Sequence, residues 1–473
     1  MLDLGWCTAT MVIKSPYPDI EIPEINILTY LYGNGDDAAD TPLWIDSADD
    51  TKSLSAREGL QWIKRLAQGL ERAGIKEGEV VMVVSPNHIF VPIAYLGTVA
   101  GGRIFSGANP AYNADGKLSP WWNRHPLIHP ELSYQMKDAG TRTILVHPSL
   151  LSTAKKAATR ANLPHTSLYL FSDIPKAPIE GIQDWRSLLA PSQEASSYQW
   201  PSLTGSESKT TIATINYSSG TTGLPKGVMI SHYNLVANVE QSRNVKHVTQ
   251  TDDDPSRERW VGFLPLYHAY GQMFSVMLSL KLGIRIYIMQ AFEFERFLQV
   301  VQDKKITSLQ LAPPIAVLLD KHPSVGKYDL SSVETLSCGA APLASSLQNA
   351  ISTRFKAPIG QGWGMTEVTC AGLGVPAGVY DDTGSVGQLL PNCEIKLMNE
   401  EGGEVKLGER GEIYFRGPNV SPGYWKNEQA TRETMLADGW LRTGDVGVAN
   451  EEGWVWIVDR LKVTLFHRAS NSP

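Results

Sequence analysis

A chain of 473 residues, 42% hydrophobic and 19% charged, is long enough for about three folding units, each able to bury a core. Its 42 basic and 49 acidic residues leave a net charge of −7 with no basic field, which argues against a nucleic-acid binder. Cys7, Cys338, Cys370 and Cys393 form neither a CxxC pair nor a zinc spacing, so a reduced intracellular protein is expected. Apolar runs such as 89–100 are too short to span a bilayer, 274–289 is interrupted by Lys281 and Arg285, and the N-terminus has no signal-peptide pattern.

Residues 1–50 are punctuated by Pro and Asp without a sustained period. Over 55–73, Leu60, Ile63, Leu66 and Leu70 recur at helical spacing opposite Arg57, Lys64 and Arg72, and Gly74 and Gly78 close that helix. The pattern then predicts a buried strand at 79–84, a buried helix at 90–100, a strand at 143–147 and a helix at 150–161. After a Ser-rich loop at 192–209 the alternation resumes, with strands at 211–217, 284–289 and 308–312 and a helix at 232–239. Such alternation argues for parallel sheets covered by helices on both faces. From Asp382 the texture changes to short β-rich runs (394–398, 411–415, 453–458) separated by Gly-rich turns, which predicts a small barrel or sandwich. The expected class is α/β: two doubly wound subdomains over 11–200 and 201–378, a β-barrel-like subdomain over 379–457, and a remnant over 458–473.

The stretch most informative about chemistry is Tyr217–Val228, YSSGTTGLPKGV. Ser218, Ser219, Thr221 and Thr222 alternate with Gly220, Gly223 and Gly227, and Lys226 follows. Glycines let backbone amides approach an anion, hydroxyls donate to phosphate oxygens, and the lysine adds a mobile positive charge. A strand before this loop and a helix after it would place an anion at a helix N-terminus. The spacing is not GxxxxGK[ST], so a P-loop nucleotidase is disfavoured.

This segment resembles the signature of the adenylate-forming (AMP-binding) superfamily, and five further stretches continue the resemblance in order. They are LPLYHAYG (264–271), SCGAAPL (337–343), QGWGMTE (361–367), DGWLRTGDVG (438–447) and VDRLK (458–462). The nearest subgroup is the 4-coumarate-CoA-ligase-like acyl-CoA ligases, of fungal type in SPYPDIEIP (15–23). The resemblance implies an ATP-dependent ligase that joins a carboxylic acid to AMP and then to coenzyme A. It implies that Ser218, Ser219, Gly220, Thr221, Thr222, Gly223 and Lys226 hold phosphates, and that Thr366 donates to the α-phosphate. Glu367, with Thr222, would ligate Mg2+. Gln361, Gly362, Trp363, Gly364 and Met365 would form the adenine wall, and Asp445 and Arg460 would hold the ribose. His268, Ala269 and Tyr270, with Gly339, Ala340, Ala341, Gly362, Ala371 and Gly372, would line the acyl pocket. Small linings leave room for a hydrophobic aryl or medium-chain acid, and 269–273 has no acid to pair with an amino-acid substrate. Cys338 is expected to be a small core residue.

The sequence also departs from the family pattern. Relatives continue past the hinge, here Lys462, into a mobile C-terminal lid carrying a lysine that bridges the carboxylate and α-phosphate. This sequence continues VTLFHRASNSP, with Phe466 at the second lysine position, so the lid is expected to be absent and adenylation impaired. Gly116–Pro130 interrupts the join between Asp115 and Glu131–Tyr134. Gly-Lys can be encoded by a splice-donor sequence and Pro-Glu by one containing an acceptor, so 116–130 and 463–473 are expected to be retained introns, with Met11 as the start. The competing expectations are a non-catalytic nucleotide- or acyl-binding protein and a luciferase-like adenylating oxidase. The terminal Asn471-Ser472-Pro473 is no peroxisomal address, so a cytosolic location is expected for this chain and a peroxisomal one for an intact relative.

Overall fold

The computed structural model describes residues 12–33, 35, 38–110, 130–218, 224–249 and 257–461. Met11, the loop residues 219–223, most of the 116–130 segment, Lys462 and the residues after it lie outside the described residues.

The local sequence signals act as physical chemistry requires. Ser55 starts the Ala56–Arg72 helix with a reciprocal cap: its hydroxyl accepts from the Glu58 amide at 3.1 Å, and its own amide donates to the Glu58 carboxylate at 2.8 Å. Leu60, Ile63, Leu66 and Leu70 on one face are buried. That face meets the Val91–Ala100 helix, buried throughout, where Gly97 lets the Leu66 side chain lie directly on the backbone. The all-apolar Val80–Val84 strand takes a central place between Ile104–Ala108 and Thr141–Val146, parallel to both, as a strand buried on two faces should.

Among the described residues the strands form three sheets. The first has seven strands, in the order Gly423–Tyr424, Lys226–Ser231, Ile212–Ser218, Ile104–Ala108, Val80–Val84, Thr141–Val146 and Leu168–Leu170. The second has nine: Gln388–Leu389, Leu373–Gly374, Ile359–Trp363, Thr335–Cys338, Ser308–Leu311, Arg259–Gly262, Arg285–Ile288, Pro42–Asp46 and Ser53–Ser55. Both have parallel centres; the second is antiparallel at both edges, and the first only at the edge formed by Lys226–Ser231 and Gly423–Tyr424. The third is a five-stranded antiparallel sheet of Ile13–Lys14, Glu394–Met398, Gly411–Arg416, Leu441–Ala449 and Val455–Arg460. The sheets cross the boundaries expected from sequence. Pro42–Asp46 and Ser53–Ser55 supply an edge of the second sheet, Ile212–Ser218 and Lys226–Ser231 belong to the first, and Ile13–Lys14 joins the third.

One expectation is corrected here. The Gly/Ser/Thr loop is not followed directly by a helix. Lys226–Ser231 is a strand, antiparallel to Ile212–Ser218, and the helix begins only at His232. Val228 and Ile230 bury their side chains in the core, and the strand pairs with Ile212–Ser218 on one side and Gly423–Tyr424 on the other, so this short run gains more as a sheet partner than as a first helical turn. The described chain on either side of the loop is therefore a pair of antiparallel strands, and the helix starts only after the second of them.

Candidate active site

A cleft of about 1080 Å³ lies beyond the carboxyl ends of Thr335–Cys338 and Ile359–Trp363, bounded by Ser218 and Lys226 of the first sheet and by the third sheet. It brings together Ser218, Lys226, His268, Ala269, Tyr270, Gly339, Ala340, Ala341, Gln361 through Glu367, Ala371, Asp445 and Arg460. These positions come from all three sheets, so only the folded chain assembles them.

At one end Asp445 and Arg460 are directly paired across Leu441–Ala449 and Val455–Arg460. Arg460 Nε lies 3.1 Å from Asp445 Oδ1, and Trp363 Nε1 donates to Asp445 Oδ2 at 2.9 Å. The Trp363 ring is buried and leans on Phe415 with centroids 5.6 Å apart. Gly372 makes room for it, since a Cβ there would come within 2.7 Å of the indole.

In the middle, the short Thr366–Val368 turn carries Glu367, buried, whose Oε1 accepts from the Tyr424 hydroxyl at 2.8 Å. Tyr424 pairs with Val228 on the Lys226–Ser231 strand, and the Lys226 ammonium lies over its ring, 4.9 Å from the centroid. Burial and the neighbouring Glu367 carboxylate push the Tyr424 hydroxyl's pKa well above its usual value, so it remains a donor.

At the other end, His268 opens into the cleft, and its Nδ1 accepts from the Tyr270 amide at 3.2 Å, which leaves the proton on Nε2. Its side chain is exposed to the open cleft, yet the surrounding protein lowers its pKa, which favours the neutral ring. Tyr270 bonds Ser337 and packs edge-on against Phe274 at 5.0 Å. Ala340 holds a left-handed backbone, φ 73°, at the turn that brings 339–341 to the cleft. Behind this turn the strands alternate. Ser308, Gln310, Thr335 and Ser337 line the cleft, Leu309 and Leu311 pack in the core, and Leu336 and Cys338 belong to the core while also bordering the cleft.

The AMP-binding enzyme family matches residues 34–425. A probable 4-coumarate–CoA ligase 3 of Dictyostelium discoideum is 36% identical over 462 residues, covering 95% of this chain and 79% of the relative. A 4-coumarate–CoA ligase of Pinus taeda is 34% identical over 460 residues, with the same coverage of each chain. The chain belongs to the AMP-binding enzyme family. Its fold matches that of the luciferase-like enzyme of the mealworm Zophobas morio, with TM-score 0.80 at 23% identity over 95% of this chain and 99% of the other.

Within this AMP-binding enzyme the expected site residues divide by what their side chains do. Gln361 faces the cleft, but its amide is committed: it donates to the Leu343 carbonyl at 2.9 Å and to Gln348 at 2.6 Å, and accepts from the Leu343 amide at 3.0 Å. It braces the 339–343 turn. Gly372 acts from behind, as the space for Trp363. Ser219, Gly220, Thr221, Thr222, Gly223 and Lys462 lie outside the described residues. Cys338 is buried in the core, as expected, and burial raises its thiol to about 12, so it is no thiolate nucleophile. The sequence reading missed Tyr424, which carries no signal in isolation. It also missed the cleft-facing Ser242 and Lys246 on the His232–Thr249 helix, which a one-turn spacing of polar residues could have suggested. No cluster of three or more His, Cys, Asp or Glu residues suits a metal ion among the described residues. The buried carboxylate of Glu367 still fits magnesium, which is commonly held by one protein carboxylate together with substrate phosphates and water.

Proposed function

We propose that this chain is an ATP-dependent acyl- or aryl-CoA ligase. It adenylates a hydrophobic carboxylic acid, releasing pyrophosphate, and then passes the acyl group from acyl-AMP to the CoA thiol with release of AMP. The observation that carries the reading is the convergence in one cleft of the Asp445–Arg460 pair, Thr366–Glu367, Lys226 and the His268–Tyr270 segment.

In this reading Asp445 accepts the ribose hydroxyls and Trp363 lines the adenine. Lys226 and Ser218 neutralise the departing pyrophosphate, and the Thr366 hydroxyl donates to the α-phosphate oxygen on which charge develops. Glu367 would hold Mg2+, which when bound offsets negative charge on the phosphate oxygens. Neutral His268 offers Nε2–H to the substrate carboxylate and orients it toward the α-phosphorus. The acyl body then lies against Tyr270, Phe274 and Leu278 and runs back along the strands toward Thr335. Four residues of strand at about 3.3 Å each give a depth of about 13 Å, enough for an aryl or medium-chain acid.

The test is ATP–pyrophosphate exchange with a panel of aryl and medium-chain acids, followed by CoA thioester formation. Acid-dependent exchange, lowered about a hundredfold by Lys226→Ala, is expected. AMP binding without exchange would favour a non-catalytic binder, and no AMP binding would overturn the nucleotide site.

A further inference from the structure

Asp445 is held by two groups of different character. The Arg460 guanidinium reaches Oδ1 at 3.1 Å from a side chain that is 49% exposed, so solvent weakens and loosens that restraint. On the opposite side, Trp363 Nε1 reaches Oδ2 at 2.9 Å in a fully buried contact. The indole has little freedom to swing away. Phe415 leans on it at an interplanar angle of 45°, and the backbone at Gly372 would leave only 2.7 Å between a Cβ and the ring. Below the carboxylate, the Asp445 amide donates to the Thr443 hydroxyl at 3.1 Å, and that hydroxyl is anchored on the Ile413 carbonyl at 2.7 Å. The carboxylate is thus fixed both at its stem and at Oδ2.

We propose that Trp363 is a positioning residue for nucleotide recognition: its indole N–H fixes the plane of the Asp445 carboxylate so that the oxygens meet the two hydroxyls of a ribonucleotide. This inference rests on the reading of the cleft as an AMP site and adds to the aromatic wall that Trp363 gives the adenine. A carboxylate oxygen has two acceptor sites, so Oδ2 can keep the indole and still take a ribose hydroxyl. A carboxylate fixed before binding loses no rotational freedom on capture, and its directed lone pairs distinguish a nucleotide with both hydroxyls from one lacking either. Phenylalanine provides no donor, and a tyrosine hydroxyl sits at the far end of its ring rather than at the indole nitrogen.

The experiment is calorimetric binding of AMP, 2′-deoxy-AMP and 3′-deoxy-AMP to the whole chain and to Trp363→Phe and Trp363→Tyr, each variant checked by its denaturation midpoint. The unsubstituted protein should prefer AMP over each deoxynucleotide by about tenfold or more, the strength of a hydrogen bond to a charged group. In both variants AMP should weaken about tenfold, while the deoxynucleotides change about twofold or less, so the preference collapses. In an Asp445→Asn background, Trp363→Phe should leave the preference unchanged. Loss of affinity by one common factor for all three nucleotides would mean that Trp363 only packs or stacks, and would overturn the proposal. Equal affinity for AMP and the deoxynucleotides in the unsubstituted protein would overturn it without any variant. Failure of the unsubstituted protein to bind AMP at all would instead remove the nucleotide site on which the proposal stands.

Discussion

Tyr424 joins two charged residues that the sequence places far apart. Its hydroxyl donates to Glu367, its ring lies beneath the Lys226 ammonium, and its backbone extends the first sheet. The two contacts are separable by substitution. Tyr424→Phe keeps the cation–π face and deletes the donor, leaving a buried carboxylate oxygen with one partner fewer. That should destabilise the protein by about 1–3 kcal/mol, measured by denaturant unfolding. Tyr424→Leu removes the ring as well, so it should cost more and also weaken ATP binding through Lys226. Equal stability of Tyr424→Phe and the unsubstituted protein would show that Glu367 is held by other groups.

Between elements, backbone spacing sets the shape of the cleft, and two glycines of the 361–374 segment give a clean contrast. A Cβ on Gly364 would come within 1.7 Å of the Cys370 carbonyl, and backbone on both sides cannot yield. On Gly374 the same atom would meet nothing within 4 Å. Gly364→Ala should therefore cost at least about 2–3 kcal/mol, and Gly374→Ala should be close to neutral, as thermal unfolding of the pair would report. Comparable midpoints would mean that the 364–370 loop is more pliant than its geometry implies. The sequence made part of this architecture legible. Leu60, Ile63, Leu66 and Leu70 announced their helix because period and cap agree locally, and Val80–Val84 announced a buried strand by composition alone. The strand after the phosphate loop was not legible, because six residues of mixed character fit a strand or a first helical turn equally well, and pairing with Ile212–Ser218 decides. Nor could the sequence show that Pro42–Asp46 lies beside Arg285–Ile288, since both partners look alike before the chain brings them together. In the cleft, motif residues were legible as types in a spacing. Their couplings, Trp363 to Asp445 and Tyr424 to Glu367, exist only across strands.

For the whole molecule, two buried histidines set how stability responds to mild acid. His88 and His232 are almost completely enclosed, and desolvation lowers the pKa of each to about 3 from an ordinary 6.5. Around His88, the Asp173 carboxylate opposes the shift while His147 and Arg186 reinforce it; His232 is shifted by burial alone. Each uses Nδ1 as an acceptor, His88 from the Phe90 amide at 3.3 Å and His232 from the Ile27 amide at 3.2 Å, so each is folded in its neutral form. The unfolded chain takes up these protons near pH 6.5 and the folded chain does not, so the stabilisation is fully present above that pH and declines as pH falls toward 3. Well below 6.5 the slope approaches about 1.4 kcal/mol per pH unit for each histidine. Urea midpoints measured between pH 7.5 and 5 should therefore fall as the solution is acidified. His88→Gln and His232→Gln should each lower the starting stability, because a buried ring is replaced, yet each should reduce the slope by up to about 1.4 kcal/mol per pH unit. His232 also ties the Ile27–Tyr32 helix to the start of the His232–Thr249 helix, so its variant should lose more absolute stability than the His88 variant, whose Nε2 has no partner among the described residues. A double variant that keeps the unsubstituted slope would place the acid sensitivity elsewhere, in groups that titrate in the same window.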